Sequence, residues 1–333
     1  MCMAEYQVLI GGALEKLREL PDQSVNTIVT SPPYYGLRDY GIDEQIGLED
    51  TPTDFINALV EVFREARRVL RDDGTLWVNM GDSYCSGSRK NNVPQTQHKG
   101  KTRDAPMDRR NTAVEKVKGK DLFGIPFQLA LALRDDGWFF RCDIIWSKPS
   151  SMPEAVKDRP TRCHEYIFLF SKKPHYHYDH EAILEPVKES SLDRVKRGWK
   201  STHPTAGNVS GGGVDVEVMG TRFVNPKGKN KRSVWEVGLK PWRGAHFATF
   251  PPELIEPCIL AGCPPGGVVL DPFGGAGTTA GVALQHGRDA IIIELNPDYA
   301  ALIPKRVEHI LGFAVPEGEP APNVSNDFGG WFD

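Results

Sequence analysis

The chain has 333 residues, 40 Lys and Arg against 44 Asp and Glu, and 40% hydrophobic residues. That is the composition of a folded globular protein with room for one large or two smaller domains. Its clean apolar runs, such as Val268–Leu270 and Ile291–Ile293, are far too short to span a membrane, and Met1–Ile10 lacks the basic start and apolar stretch of a secretory leader. Fibrous, disordered and membrane-spanning classes are excluded, and a cytoplasmic protein is expected.

Tyr6 to Ile10 predicts a strand, Leu14 to Leu20 a short helix, and Val25 to Thr30 a β-branched strand halted by Pro32-Pro33. Thr51-Pro52-Thr53-Asp54 has the form of a helix start, and apolar residues from Phe55 to Leu70 recur at helical spacing until Gly74. Thr75 to Met80 follows as a strand. Ile125 to Leu133 is expected helical, and Trp138 to Trp146 and Tyr166 to Phe170 extended. Pro252 to Leu260 predicts a helix, Val268 to Leu270 a strand, Thr278 to Gln285 a helix and Ala290 to Leu295 a strand. Such alternation predicts an α/β fold with a mostly parallel, doubly wound sheet.

The net charge of −4 hides an uneven distribution. Arg89 to Lys120 and Lys188 to Arg243 each carry a local +7, which leaves −18 on the rest. Both segments are rich in Gly, Asn, Ser and Thr, as solvated loops are; two of them beside one core also suit contact with a phosphate backbone. The six cysteines form no CxxC pair and read as reduced thiols. Alternation splits His175 and His177 from His180, so no metal site is expected.

Two motifs carry chemistry. In the run Val268 to Thr279 a buried strand enters the glycine-rich turn Asp271-Pro272-Phe273-Gly274-Gly275-Ala276-Gly277-Thr278 and then a helix, so backbone N–H groups can approach a ligand. The next strand ends at Glu294, an acid suited to two ribose hydroxyls; together these predict a nucleoside-cofactor site. No Gly-Lys-Ser/Thr follows the loop, which argues against a nucleoside triphosphate. The second motif, Ser31-Pro32-Pro33-Tyr34, stands where a strand ends. There the Pro32 carbonyl and Ser31 hydroxyl can accept hydrogen bonds from an exocyclic amine, and Tyr34 offers a flat face. Taken alone, the tetrad equally fits a strand-terminating Pro-Pro turn.

Together the motifs resemble those of the amino-methylating DNA methyltransferases that use S-adenosylmethionine and modify cytosine N4 or adenine N6. Val62 to Asp82, Ile144 to Pro149 and His246 to Ile259 resemble further blocks of that family, so the likeness covers about two-thirds of the chain. The tetrad precedes the cofactor loop, the order of the circularly permuted β class. The resemblance implies a Rossmann-like methyltransferase sheet made of a catalytic half (1–184, with a basic loop at 85–120) and a cofactor-binding half (244–313). A DNA-recognition region is inserted at 185–243, and 314–333 form an acidic, proline-rich tail.

It further implies Ser31, Pro32, Pro33 and Tyr34 as catalytic residues and Asp271, Phe273, Gly274, Gly275, Gly277, Thr278 and Glu294 as cofactor contacts. Lys148, Arg194, Lys196, Arg197, Lys200, Arg222, Lys229, Lys231 and Arg232 are the candidate contacts to double-stranded DNA. Serine at the first tetrad position is typical of cytosine-N4 enzymes in the family. Adenine N6 methylation and a non-catalytic DNA-binding scaffold are the alternatives, and a cognate restriction endonuclease is a candidate partner. Two departures are visible. Gly11-Gly12 stands where the family has Gly-Asp, removing a carboxylate expected near the cofactor's adenine, and Asn26 stands where an acid is common.

Overall fold

The computed structural model describes residues 4–37, 41–42, 45–85, 117–190, 225, 227–239 and 250–312, which group into two compact units. The larger takes in Met1–His177 and Ser233–Asp333. Its strands are β1 (Tyr6–Ile10), β2 (Val25–Thr30), β3 (Leu70–Met80), β4 (Phe139–Ser147), β5 (His164–Ser171), β6 (Val234–Glu236), β7 (Val268–Asp271) and β8 (Asp289–Glu294). They form one sheet in the order β1-β8-β7-β2-β3-β5-β4-β6, parallel throughout except for β5, which is antiparallel to both neighbours.

Alternation along the strands gives the sheet two faces. Ile28, Leu76 and Val78 join the large apolar cluster with residues of α1 (Ala13–Glu19), α2 (Pro52–Val69) and α3 (Ile125–Asp135). The intervening Thr27, Thr75 and Trp77 meet α4 (Pro252–Gly262). A Cβ on Gly262 would lie 2.5 Å from the Thr75 hydroxyl and 2.8 Å from Trp77 Nε1, so only glycine lets this helix approach. α5 (Thr278–Gln285) packs against α4 and against α7 (Ile303–Leu311), while the one-turn α6 (Pro297–Ala300) lies near β1 and β8.

The chain leaves β2 through α2 to β3 on one side and β7 through α5 to β8 on the other. The winding therefore reverses between the adjacent strands β2 and β7, the place where open α/β sheets bind ligands.

The sequence reading departs from the structure at edges and at the C-terminal helices. Helix α2 stops at Val69, and β3 begins at once at Leu70, before the expected Gly74 boundary. Leu70 pairs with Val25 across a register shift, and a Cβ on Gly74 would collide with the Leu70 side chain at 2.5 Å. Edge strand β6 and helices α6 and α7 were not anticipated. The second unit, Tyr178–Arg232, holds a single 3-10 turn (Glu181–Ile183) and a bridge between Glu185 and Lys229 among its described residues. No helix of the described residues is long and apolar enough to cross a membrane, and no cluster of three metal-ligating side chains occurs among them.

Candidate active site

Both motifs emerge at the switch point, and one buried carboxylate joins them. Asp271, at the end of β7, accepts hydrogen bonds from Thr30 Oγ1 at the end of β2 and from Thr279 Oγ1 in α5, each at 2.6 Å, and from the Phe273 N–H at 3.1 Å. Burial pushes its pKa up to about 6 against those three donors. Asp271 thus fixes the loop to the strand that carries the tetrad, and at 1% exposure it presents no free carboxylate to a ligand.

The other expected cofactor residues separate by environment. Gly274 lies on β8, where a Cβ would come within 2.0 Å of Ile292 Cγ2, and Gly277 (φ +82°) leaves no room beside Ile303. Phe273 is partly buried against the apolar cluster. Thr278 is buried and its hydroxyl accepts from Arg306 Nε at 3.3 Å. These residues shape the loop. Gly275 differs: its φ is +52°, and a Cβ there would meet nothing within 4 Å. Its N–H donates to Glu294 Oε2 at 2.8 Å, and the Asn296 N–H donates to Oε1, also at 2.8 Å. Burial, reinforced by nearby Asp271, raises the Glu294 pKa to about 7. Each carboxylate oxygen keeps a lone pair for a further donor.

At the tetrad, Pro32 is buried and its carbonyl accepts no hydrogen bond from the described residues, while Ser31, Pro33 and Tyr34 are partly exposed. The Tyr34 ring lies on Gly81, the residue after β3, where a Cβ would sit 2.6 Å from Tyr34 Cε2. Its hydroxyl donates to Glu165 Oε2 at 2.7 Å, with Asn79 Oδ1 at 3.4 Å. Asn79 Nδ2 donates to the same Glu165 oxygen at 3.2 Å and to the Tyr166 carbonyl at 3.1 Å. Burial first and the Glu165 charge second hold the Tyr34 pKa well above that of a free phenol. Sequence reasoning missed Glu165 and Asn79, which lie 131 and 45 residues from Tyr34 and meet it only because β3 and β5 pair side by side.

Residues 25–305 match a family described as DNA methylase. The chain is 49% identical over 298 residues to the type II methyltransferase M.Cfr9I of Citrobacter freundii, covering 90% of this chain and 86% of that protein. It is 44% identical over 301 residues to M.SmaI of Serratia marcescens, covering 90% of each. The chain belongs to this DNA methylase family. Its fold is shared by the PvuII DNA methyltransferase, described as cytosine-N4-specific (TM-score 0.57, 18% identity, 94% of this chain and 96% of that one). It is shared too by a DNA modification methylase of Thermus thermophilus, TTHA0409, solved with S-adenosyl-L-methionine (TM-score 0.54, 22% identity, 92% and 96%).

The methylase is thus a DNA amino-methyltransferase, and its structural neighbour TTHA0409 was solved with S-adenosyl-L-methionine. Its own residues fit that cofactor: the open space at Gly275, the first turn of α5 with no side-chain cap, and the buried acid Glu294 at a strand end. The two departures from the family pattern are accommodated. Asn26 Oδ1 accepts from the Val268 N–H at 2.9 Å, tying β2 to β7, and the Gly11 N–H donates to the Glu294 carbonyl at 3.0 Å.

The basic residues expected to touch DNA fall in three groups. Lys148 Nζ bonds to Glu165 Oε1 and lies 4.1 Å from the centre of the Trp146 ring; at 16% side-chain exposure it is an internal counter-ion rather than a free phosphate contact. In the second unit Glu185 collects Lys229 at 3.3 Å and Arg232 Nε at 3.0 Å. Burial raises Glu185, but the bonds from Arg232 and Lys229 outweigh it and leave the carboxyl below its usual value. Lys231 is partly exposed in the same unit. Arg194, Lys196, Arg197, Lys200 and Arg222 lie outside the described residues, as do most of the basic loop at 85–120 and the tail.

Proposed function

We propose that the methylase modifies the N4 amine of a cytosine flipped out of double-stranded DNA, with Ser31 and Pro32 as acceptors for that amine. The observation carrying this reading is the open Pro32 carbonyl beside Ser31, one residue beyond the Thr30–Asp271 bond that anchors the glycine loop. The amine lone pair is delocalised into the base, so the nitrogen is a poor nucleophile. Two preorganised acceptors favour a pyramidal nitrogen and stabilise the positive charge growing on it. The ring of Tyr34, seated on Gly81, supplies a stacking face for the base. Glu294 and the Gly275 turn orient the nucleoside end of the cofactor, which supplies an electrophilic methyl group when bound.

Sequence recognition belongs in this reading to Lys188–Arg243, where arginine and lysine side chains can read guanine edges and phosphates. The type II relatives support a cognate restriction endonuclease as partner. The test is tritiated-methyl transfer to unmethylated bacterial DNA. Wild type should label the DNA, and S31A should lose roughly a hundredfold or more in turnover while calorimetric S-adenosylmethionine binding stays near normal. Unlabelled DNA with wild type, or full turnover by S31A, overturns the assignment. A variant lacking 185–232, which spares β6, should bind the cofactor and lose site preference.

A further inference from the structure

We infer that Leu37 is the side chain that enters the DNA duplex as the target base leaves it, filling the gap in the stack and holding the base outside. The inference rests on the flipped base of the reading above. A base inside a duplex is out of reach of the tetrad, and extruding it costs its stacking and pairing. Apolar side chains that slide between base steps, leucine among them, are one way in which proteins hold a duplex open.

A turn that starts at the tetrad itself places Leu37 for this role. The Leu37 N–H donates to the Tyr34 carbonyl at 3.3 Å, which closes a four-residue turn and brings the two Cα atoms within about 7 Å of each other. Gly36, the third residue of the turn, has a φ of +65°, which glycine adopts at no steric cost. The turn is pinned along its length. Tyr35 is buried, its ring centre 5.5 Å from that of Phe55 and 5.4 Å from that of Phe123, and its hydroxyl donates to the Asp50 carbonyl at 3.3 Å. The Gly36 N–H donates to the Gly47 carbonyl at 2.9 Å, and a Cβ on Gly47 would stand 3.3 Å from the Tyr34 carbonyl oxygen. Tyr34 rests on Gly81 and bonds to Glu165.

The two apolar side chains that follow Tyr34 therefore part company. Tyr35 goes into the core, and Leu37 stays outside it at 55% exposure. A single exposed leucine is ordinary on a protein surface. This one stands one turn from the ring on which the base stacks, on backbone held by Tyr35, Gly36 and Gly47, so the DNA that delivers the base to Tyr34 also meets Leu37. The role depends on bulk and apolarity and not on hydrogen bonding, which sets it apart from every other residue named at the tetrad.

The wild type first defines its own substrate: the methylated position in bacterial DNA gives the site. That site is synthesised as a fully paired duplex and as an abasic duplex lacking the base opposite the target, in which the target is already unpaired. Wild type, L37A and L37M are compared on both, with calorimetric cofactor affinity and thermal melting on each protein. On the paired duplex L37A should lower kcat/KM about tenfold or more, while on the abasic duplex it should stay within about twofold of wild type, because no pair remains to be opened. L37M keeps the bulk and should stay within about threefold of wild type on both. Cofactor affinity and melting should not change, since the side chain lies outside the core. Equal loss by L37A on the two duplexes, full activity of L37A on the paired one, L37M as impaired as L37A, or a loss that follows cofactor affinity overturns the wedge. The modified base is identified in the same reactions, and the comparison among variants holds whichever base it is, so an error in the cytosine assignment and a failure of the wedge are told apart.

Discussion

The two halves of the active site are built by opposite means. The cofactor side is a contiguous run, Asp271 to Thr278, whose shape comes from backbone freedom: positive φ at Gly275 and Gly277, close contact at Gly274, and N–H groups turned onto Glu294. The tetrad side has four adjacent residues, but its working geometry comes from Gly81, Asn79, Lys148 and Glu165, drawn from β3, β4, β5 and their ends. A nucleoside site of this kind needs a shaped main chain and one side chain, Glu294, at a strand end. Holding the Tyr34 ring in place takes side chains from several strands, with Glu165 bonded to Tyr34, Asn79 and Lys148.

If the halves are distinct, substitutions should separate cofactor binding from chemistry, except at the residue that joins them. D271A is expected to have the largest effect. It strips the acceptor from Thr30, Thr279 and the Phe273 N–H, and should cost about 2–4 kcal/mol of stability, read by denaturation, with both cofactor binding and turnover impaired. G81A should act on the tetrad alone, since the new Cβ displaces the Tyr34 ring: turnover falls roughly tenfold or more with cofactor affinity unchanged. Weakened cofactor binding in G81A would merge the two halves.

The cofactor half should carry its own pH signature. In the proposed reading the Glu294 carboxylate accepts from the ribose as an anion, and its pKa of about 7 means it is largely protonated at pH 6. Affinity for S-adenosylmethionine, measured by calorimetry, should fall by up to about tenfold between pH 8 and pH 6. For folding, the sign is opposite to that of an ordinary ion-paired carboxylate. Asp271 and Glu294 have raised folded values, so their contribution favours the free protein below the unfolded pKa values and is lost as pH rises through about 6 and 7. The thermal shift produced by the cofactor should accordingly widen from pH 6 to pH 8.

The smallest effect is expected furthest from the chemistry. E185A releases Lys229 and Arg232 from their shared carboxylate, and should steepen the salt dependence of DNA binding by about one to two in the logarithmic slope. An unchanged slope would remove these two residues from the DNA contact surface.

What the sequence disclosed follows the same division. The glycine loop, the strands around it and Glu294 were legible because local backbone demands are written in neighbouring residues. The tetrad was legible as a motif, and its supporting shell was not, because nothing in the chain marks Glu165 as the partner of Tyr34 until β3 and β5 are paired. Asp271 and Thr278 read as ligand contacts, and the structure adds that both are buried and hydrogen-bonded within the protein, since burial is not visible in a motif. Lys148 counted as a cation facing solvent, and its partner lies seventeen residues away on the next strand. Helices α6 and α7 lie beyond the last element the sequence reading assigned; each carries a proline, Pro297 or Pro304, in its first turn, where a missing N–H is harmless.

The most direct measurement of the central claim is the chemical identity of the product. Purified methylase should be incubated with unmethylated bacterial DNA and S-adenosylmethionine, the DNA digested to nucleosides, and the modified base identified by mass spectrometry. The account predicts N4-methylcytosine; N6-methyladenine in its place, or no modified base, would contradict the assignment built on Ser31.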